Sequence, residues 1–181
     1  MYFNALKEVS AILNKLNCLW AVGGSLVLYN KGLWECPNDI DILINFKDVE
    51  KVKNVMDARY EKLELKYKDN FKTKAFFRYK INGINIEFMG DFKIVCNDNV
   101  YSFLLDEKTI VDKMDIGGVK VNVSSLEDWI VAYYLMGDPK GRVPIIKEYF
   151  IENGVENKEI LERALKQKVS KNLEYEMLNL M

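Results

Sequence analysis

Apolar residues recur with two different periods along the chain, and the change of period predicts its elements. Residues 3–16 carry apolar side chains at helical spacing, which predicts an amphipathic helix. A short apolar strand is predicted at 19–22. The apolar stretch 26–29 predicts a short helix without a polar face, which should therefore be buried. Residues 39–44 alternate between polar and apolar, as expected of a second strand.

The middle of the chain predicts one surface helix and a β-hairpin. The helix covers residues 48–58, and a strand with alternating polarity follows at 62–67. Residues 75–81 and 84–89 also alternate, and Asn82–Gly83 joins them. This dipeptide favours a type I′ turn, because both of its residues tolerate a positive φ. We therefore expect 84–89 to be the return strand of a hairpin. We also expect it to lie beside residues 39–44 as their antiparallel neighbour.

The remainder of the chain changes from strands to helices. Residues 91–107 show no clear period, and we predict irregular connections there. Another strand pair is predicted at 109–116 and 119–123. Ser124 and Glu127 form a capping-box pattern that predicts the start of a helix at 126–136. Three shorter helices are predicted at 143–152, 157–168 and 171–180.

These elements predict an α+β fold, with a mixed sheet flanked by helices and a helical C-terminal lobe. The chain has 181 residues, enough for one domain with an appendage. The change from strands to helices at Ser124 is the candidate boundary. We expect residues 1–123 to form the main domain and 124–181 a lobe packed on it, because the linker between them is short.

Composition and charge exclude several classes of function. The net charge is −1, whereas a general nucleic-acid binder is usually basic. The chain has no His, which excludes His-based catalytic bases and imidazole metal ligands. Its 3 Cys are odd in number and widely spaced, which indicates a reducing compartment. Because no apolar run is of signal-peptide or membrane-spanning length, we expect a cytoplasmic protein without a membrane partner.

The candidate chemistry lies in residues 23–41. Gly23, Gly24 and Ser25 directly follow the first predicted strand, at the start of the short helix. Asp39 and Asp41 are two residues apart on a strand, so they share a face with Cα atoms ~6.5 Å apart. Two like charges on one face repel each other, and a divalent cation between them would remove the repulsion.

This pattern resembles the signature of the nucleotidyltransferase superfamily, whose fold is that of DNA polymerase β. The matching parts are Gly-Gly-Ser, a spacer of about a dozen residues and Asp-Ile-Asp-Ile. The resemblance implies that Asp39 and Asp41 bind magnesium and that Gly23–Ser25 hold a nucleoside triphosphate. It also implies a third carboxylate on a later strand. Glu87 is the one charge in its predicted strand and is our candidate.

The helical tail resembles that of small stand-alone transferases, of the minimal bacterial and AbiEii toxin types. The matching features are an aromatic helix, Arg142 and the helices after it. Tyr133 stands near the place of the family's usual Lys, and the Lys-Asp pair expected after the Arg is absent. Arg142, or else Lys140, is therefore the candidate for contact with the triphosphate.

The resemblance implies magnesium-dependent transfer of a nucleoside monophosphate to an acceptor, with release of pyrophosphate. It implies two magnesium ions, with manganese as a substitute, and catalytic roles for Asp39, Asp41 and Glu87. Glu87 would lie nearer the acceptor and could take its proton. ATP is one candidate donor. The acceptor could be a small molecule, a tRNA or a protein, and neither it nor the oligomeric state is encoded in such a motif.

Two alternatives stay open. One is a toxin-type transferase that acts on tRNA or protein, which would need a basic groove beside the carboxylates. Residues 47–80 hold 11 Lys or Arg and 6 Asp or Glu, so such a surface is conceivable. Arg78 and Lys80 share one face of their strand there, and a solvated strand face explains them equally. The other alternative is a non-catalytic nucleotide-binding module.

Overall fold

The computed structural model describes residues 1–65, 71–96 and 99–181, and it has an α+β architecture. The helices are α1 (Tyr2–Leu16), α2 (Ser25–Asn30), α3 (Val49–Asp57), α4 (Leu126–Leu135), α5 (Arg142–Asn153), α6 (Lys158–Leu165) and α7 (Lys171–Leu178). The strands are β1 (Trp20–Val22), β2 (Asp39–Ile44), β3 (Glu61–Lys62), β4 (Ala75–Ile81), β5 (Ile84–Gly90), β6 (Lys93–Cys96), β7 (Asn99–Ser102), β8 (Ile110–Ile116) and β9 (Val119–Ser124). Short 3₁₀ turns lie at Phe46–Asp48 and Glu107–Thr109.

Seven of these strands form one mixed sheet, in the order β3-β4-β5-β2-β1-β9-β8. The pairs β2–β5 and β1–β9 are parallel, and the other neighbours are antiparallel. Strands β1 and β2, which flank the glycine turn and carry the two Asp residues, lie in the middle of the sheet. The candidate site residues therefore lie on or next to strands that are paired on both sides. The predicted mixed sheet flanked by helices is confirmed.

The β4–β5 hairpin forms as predicted, but the direction of β5 relative to β2 differs from the prediction. Asn82 and Gly83 both have positive φ, at 50° and 80°. Strand β5 runs parallel to β2, so the expected antiparallel neighbour was wrong. The reason is topological, because β4 does not pair with β2 but lies one strand further out in the sheet. The return strand β5 then fills the position beside β2 in the same direction as β2.

Two other expectations differ from the structure. The region 91–107 is not wholly irregular, because β6 and β7 form a separate two-stranded sheet. Buried residues alternate in and directly beside these strands, as Phe92 and Ile94 and then Tyr101 and Phe103, but the pattern is too short to give a period. The strand expected at 62–67 is described only as the two-residue β3, and residues 66–67 lie outside the described part.

Helix α4 begins at Leu126 as predicted, but its N-cap is not Ser124, the first residue of the predicted capping box. The N-cap is Ser125, whose hydroxyl oxygen accepts a hydrogen bond from the backbone N–H of Asp128. Ser124 cannot cap the helix, because its hydroxyl donates to the carbonyl of Val22 at 2.7 Å. The same hydroxyl accepts a hydrogen bond from the indole N–H of Trp129 at 2.8 Å. Ser124 therefore joins β1, β9 and α4 at one buried point.

A continuous apolar core connects the sheet to the C-terminal helices. It includes Leu6 of α1, Val22 of β1, Ile130 of α4, Phe150 of α5 and Leu173 of α7, all at most 2% exposed. The division into 1–123 and 124–181 stays a prediction. In the described part of the chain, no helix combines the length and apolar character needed to cross a membrane.

Replacement of Ser124 by Ala should destabilise the protein. The substitution leaves the buried Val22 carbonyl and the Trp129 indole N–H without their partner, and each such group costs about 1–3 kcal/mol. Urea unfolding should show the loss. Ser102→Ala is the matched control, because Ser102 is partly exposed and its hydrogen bonds to Gln167 use its backbone. Equal midpoints for the two variants would contradict a structural role of the Ser124 hydroxyl.

Candidate active site

The turn after β1 allows two close approaches that only glycine permits. A Cβ atom on Gly23 would lie 2.3 Å from Cζ2 of Trp129, so α4 packs directly on the turn. A Cβ atom on Gly24 would lie 2.0 Å from Oδ2 of Asp41. Gly24 also has a φ of 59°, which side chains disfavour. The backbone N–H of Gly23 donates to the backbone carbonyl of Asp41 at 2.9 Å, so the turn is also joined to β2 at the residue that carries the carboxylate.

The register of three strands places Asp41, Glu87 and Arg78 in one row. Asp41 is paired with Glu87 across the parallel β2–β5 ladder, and Glu87 is paired with Arg78 across β5–β4. Paired residues share a face of the sheet, and neighbouring strands lie ~4.8 Å apart. Two carboxylates and one guanidinium therefore stand side by side, and Arg78 Nε lies 2.8 Å from Glu87 Oε1.

A second row lies two residues further along these strands. It consists of Asp39, Asn85 and Lys80, which are paired in the same way. Asp39 is exposed at the start of β2, and the hydroxyl of Tyr2 donates to its carbonyl at 3.2 Å. The sheet thus brings Asp39, Asp41 and Glu87 to one face, next to the glycine turn.

Burial makes the negative charge of Asp41 unfavourable. The pKa of Asp41 is raised from an ordinary value of 3.8 to about 8, chiefly because burial removes water from the carboxylate. The charges of Asp39 and Glu87 raise it further, whereas Arg142 and Lys140 lower it. These causes show that both neighbouring carboxylates, and the two cations before and in α5, act on the same group.

Arg142, the first residue of α5, is a cation whose charge acts on Asp41. Its guanidinium lies over the rings of Tyr133 and Trp34, with its central carbon 4.7 and 5.2 Å from the ring centroids. Nε of Arg142 is buried and has no hydrogen-bond partner among the described residues. The hydroxyl of Tyr133 is also buried without one. Near the carboxylates there are therefore two buried donor groups, and neither has an acceptor among the described residues.

The pKa of Tyr133 shows that α4 lies close to the acidic face. Burial raises the pKa of the Tyr133 hydroxyl, Arg142 lowers it, and Asp41 and Asp39 raise it. The ring of Tyr133 lies 5.5 Å from that of Trp129, which packs on Gly23. One face of α4 therefore runs from the glycine turn to Arg142.

Ser25 begins α2 directly after the turn and is only 7% exposed. Its neighbours Leu26, Val27 and Leu28 are buried, as the apolar pattern predicted. The helix is short and has no side-chain cap, so the backbone N–H groups of its first turn have no side-chain acceptor from the capping position.

The residues fit magnesium in kind, without forming a complete cage. Magnesium prefers oxygen ligands and is commonly held by one or two carboxylates together with the phosphates of a substrate. Asp39 and Asp41 supply such a pair, and a cation would relieve the repulsion at Asp41. Within residues 1–65, 71–96 and 99–181, no group of three or more His, Cys, Asp or Glu side chains is arranged to hold a metal. The ion pair of Glu87 with Arg78 is consistent with this result.

The basic surface predicted at 47–80 is partly neutralised. Lys74 forms an ion pair with Asp91 at 2.9 Å, and Arg78 pairs with Glu87. Lys80 is exposed on the acidic face, whereas Lys66 and Lys68 lie outside the described residues. The structure therefore supports no broad basic groove among the residues it describes in this segment.

Comparison with solved structures shows the same fold in nucleotidyltransferases. The provisionally assigned nucleotidyltransferase TM1012 from Thermotoga maritima superposes with a TM-score of 0.61 at 22% identity, over 84% of this chain and 94% of that one. The aminoglycoside-resistance factor ANT(2″)-Ia, solved with adenylyl-2″-tobramycin, gives 0.55 at 14% identity, over 98% and 95% of the chains. Its solution structure gives 0.57 at 15% identity, over 91% and 90%.

No family model matches the chain, and no curated protein matches it in sequence. The identities to the solved structures are low, so the similarity concerns the fold. The expected nucleotidyltransferase fold is confirmed by it. The roles expected for individual residues stay predictions that depend on the geometry described above.

Asp41→Asn should change how stability depends on pH in metal-free buffer. The pKa of Asp41 is about 8 in the folded state and 3.8 when unperturbed. Between these values the folded state binds more protons than the unfolded state, so the free energy of unfolding falls as pH rises. The variant lacks this loss. Its free energy of unfolding should therefore rise relative to that of the wild type between pH 4 and 8, by at most about 1.4 kcal/mol per pH unit.

Urea unfolding of both proteins across this pH range measures the difference directly. Asp128 is also buried, and its pKa is raised to about 7. It contributes equally to both proteins, so the comparison isolates Asp41. A constant difference between pH 4 and 8 would show that the Asp41 carboxylate is not strained in the free protein.

Proposed function

We propose that the protein is a magnesium-dependent nucleotidyltransferase, which moves a nucleoside monophosphate from a triphosphate to an acceptor and releases pyrophosphate. One observation carries the proposal: the carboxylate of Asp41, a half-buried residue, has a raised pKa and lies against Gly24. A structural carboxylate would be expected to have partners that stabilise its charge. Here Asp39 and Glu87 oppose that charge, which fits a group that awaits a cation.

Asp39 and Asp41 would hold the metal, and Glu87 would complete the site on the acceptor side. Bound magnesium would stabilise the negative charge that develops on the transferred phosphoryl group and the leaving oxygen. Asp41 would also keep the triphosphate close to the glycine turn, because its carboxylate contacts that turn. Glu87 would also accept the proton of the attacking acceptor. The expectation of two ions, magnesium or manganese, belongs to this proposal.

The phosphates would lie between the glycine turn and Arg142. The backbone of Gly23, Gly24 and Ser25 can approach a phosphate closely, because the glycines have no Cβ. Arg142 would contribute a positive charge from the opposite side. Its aromatic neighbours Trp34 and Tyr133 fix the guanidinium, and its buried Nε has no partner among the described residues. A phosphate oxygen would supply the missing acceptor.

A small molecule with a hydroxyl group is the acceptor that we favour. ANT(2″)-Ia, which shares the fold, was solved with an adenylylated aminoglycoside. The cations Lys74 and Arg78 are engaged in ion pairs, which weakens the case for a tRNA-binding groove in this segment. ATP is the first donor to test, and we place the reaction in the cytoplasm.

Transfer should be tested with each labelled triphosphate, magnesium and a cell extract that is separated into small molecules, RNA and protein. We expect a labelled product in the small-molecule fraction that is separable from the triphosphate and its hydrolysis products. Asp39→Asn and Glu87→Gln should each lower transfer by about 10²-fold or more, the scale for loss of one placed electrostatic group. Glu61→Gln, on the exposed strand β3, is the matched control. With every triphosphate, the absence of any labelled product other than the triphosphate and its hydrolysis products would contradict the enzyme assignment.

Charge reversal at Arg142 tests the phosphate contact. Arg142→Glu should raise the KM for the triphosphate, because it puts a negative charge where we place the phosphates. Arg142→Lys keeps the charge but loses the planar group that stacks on Trp34 and Tyr133, so an intermediate KM is expected. Steady-state kinetics at saturating acceptor gives both values. An unchanged KM in Arg142→Glu would remove Arg142 from the site.

A further inference from the structure

Arg78 and Lys80 share one face of β4, but their surroundings differ. Arg78 is paired with Glu87 in the β-ladder, and its Nε lies 2.8 Å from Oε1 of Glu87. Lys80 is exposed and is paired with the neutral Asn85 on one side and with Glu61 of β3 on the other. Both cations stand one strand beyond β5, at the edge of the acidic face. Only Arg78 directly contacts one of the three candidate carboxylates.

The Arg78–Glu87 ion pair is close, but its hydrogen bonding is incomplete. The two side chains are 16% and 23% exposed, so water screens the pair less than a pair on the open surface. Arg78 Nε makes no hydrogen bond of good geometry with any described residue, although its distance to Glu87 is short. Nη1 of Arg78 donates a long bond of 3.4 Å to the Glu64 carbonyl. The contact is therefore mainly one of charge.

A contact of this kind can be exchanged for another cation. Glu87 is paired with Asp41 on one side and with Arg78 on the other. A divalent cation held by Asp39 and Asp41 would attract the same Glu87 carboxylate from the opposite direction. The guanidinium and the metal would then compete for one side chain. No such competition is expected from Lys80, which faces Asn85.

We propose that Arg78 is a positioning residue that holds Glu87 in the metal-free protein and lowers the affinity of the site for a divalent cation. The inference rests on the proposed function, because it takes Asp39, Asp41 and Glu87 as the cation site. Arg78 keeps the carboxylate oriented and its charge balanced until the cation arrives. Metal binding then requires Glu87 to exchange its partner.

Manganese binding without nucleotide tests this directly. The EPR signal of free Mn²⁺ should be followed during titration of the wild type, Arg78→Gln, Lys80→Gln and Asp41→Asn. Arg78→Gln should bind manganese about 5-fold more tightly, which is the upper range for release of one partly exposed ion pair. Lys80→Gln removes the same charge from the same strand without breaking a contact to Glu87. Its affinity should stay within about 2-fold of the wild type.

The outcomes separate this inference from the proposed function. Manganese binding that Asp41→Asn does not weaken, or no binding by any protein at millimolar Mn²⁺, would contradict the metal site itself. Binding that depends on Asp41 but is unchanged in Arg78→Gln would overturn only the role of Arg78. Equal tightening in Arg78→Gln and Lys80→Gln would also overturn it, because net charge alone would then explain the effect.

Two further variants guard against a folding defect. Arg78→Met is a second neutral replacement, and the comparison uses whichever neutral variant unfolds cooperatively. Arg78→Lys keeps a positive charge opposite Glu87, so its manganese affinity should stay close to that of the wild type. If the role of Arg78 were purely structural, its variants would change the melting temperature. The neutral variants would then not bind manganese more tightly than Arg78→Lys and Lys80→Gln.

Discussion

The contact between Gly24 and the Asp41 carboxylate is the constraint on which the rest of the site depends. It exists because Gly24 has no Cβ and adopts a positive φ that other residues avoid. The contact fixes Asp41 at the turn, in surroundings that disfavour its charge. Trp129 closes the turn from the other side against Gly23, so α4 and β2 are positioned by the same two glycines. Helix α4 in turn carries Tyr133, which contacts Arg142.

The sheet distributes charge over the face in a way that suits a cation site. Asp41 and Glu87 are neighbours across a parallel ladder, where like charges repel, and no intervening residue separates them. Arg78 balances the outer carboxylate, whereas Arg142 acts on the inner one from α5. The free protein is therefore partly compensated from both sides, and the centre between Asp39 and Asp41 keeps an excess of negative charge.

The local features of this site could be predicted from sequence, because alternation and turn chemistry act within a few residues. Asp39 and Asp41 on one strand face and the Asn82–Gly83 hairpin are examples. The partner of Arg78 could not be predicted, since it depends on the register between strands. Trp34 was missed because it lies in a loop, and only the fold brings it to Arg142. The resemblance singled out Tyr133 only as the position of a usual Lys, and its contact with Arg142 could not be predicted, because buried aromatic residues are common in cores.

The central claim is that a metal and a triphosphate meet between the two Asp residues and the glycine turn. A crystal structure with manganese and a non-hydrolysable triphosphate, with anomalous diffraction from manganese, tests it most directly. We expect an anomalous peak between the carboxylates of Asp39 and Asp41, with the terminal phosphates at the backbone of Gly24 and Ser25. A triphosphate bound away from Ser25, or a peak elsewhere on the protein, would contradict it.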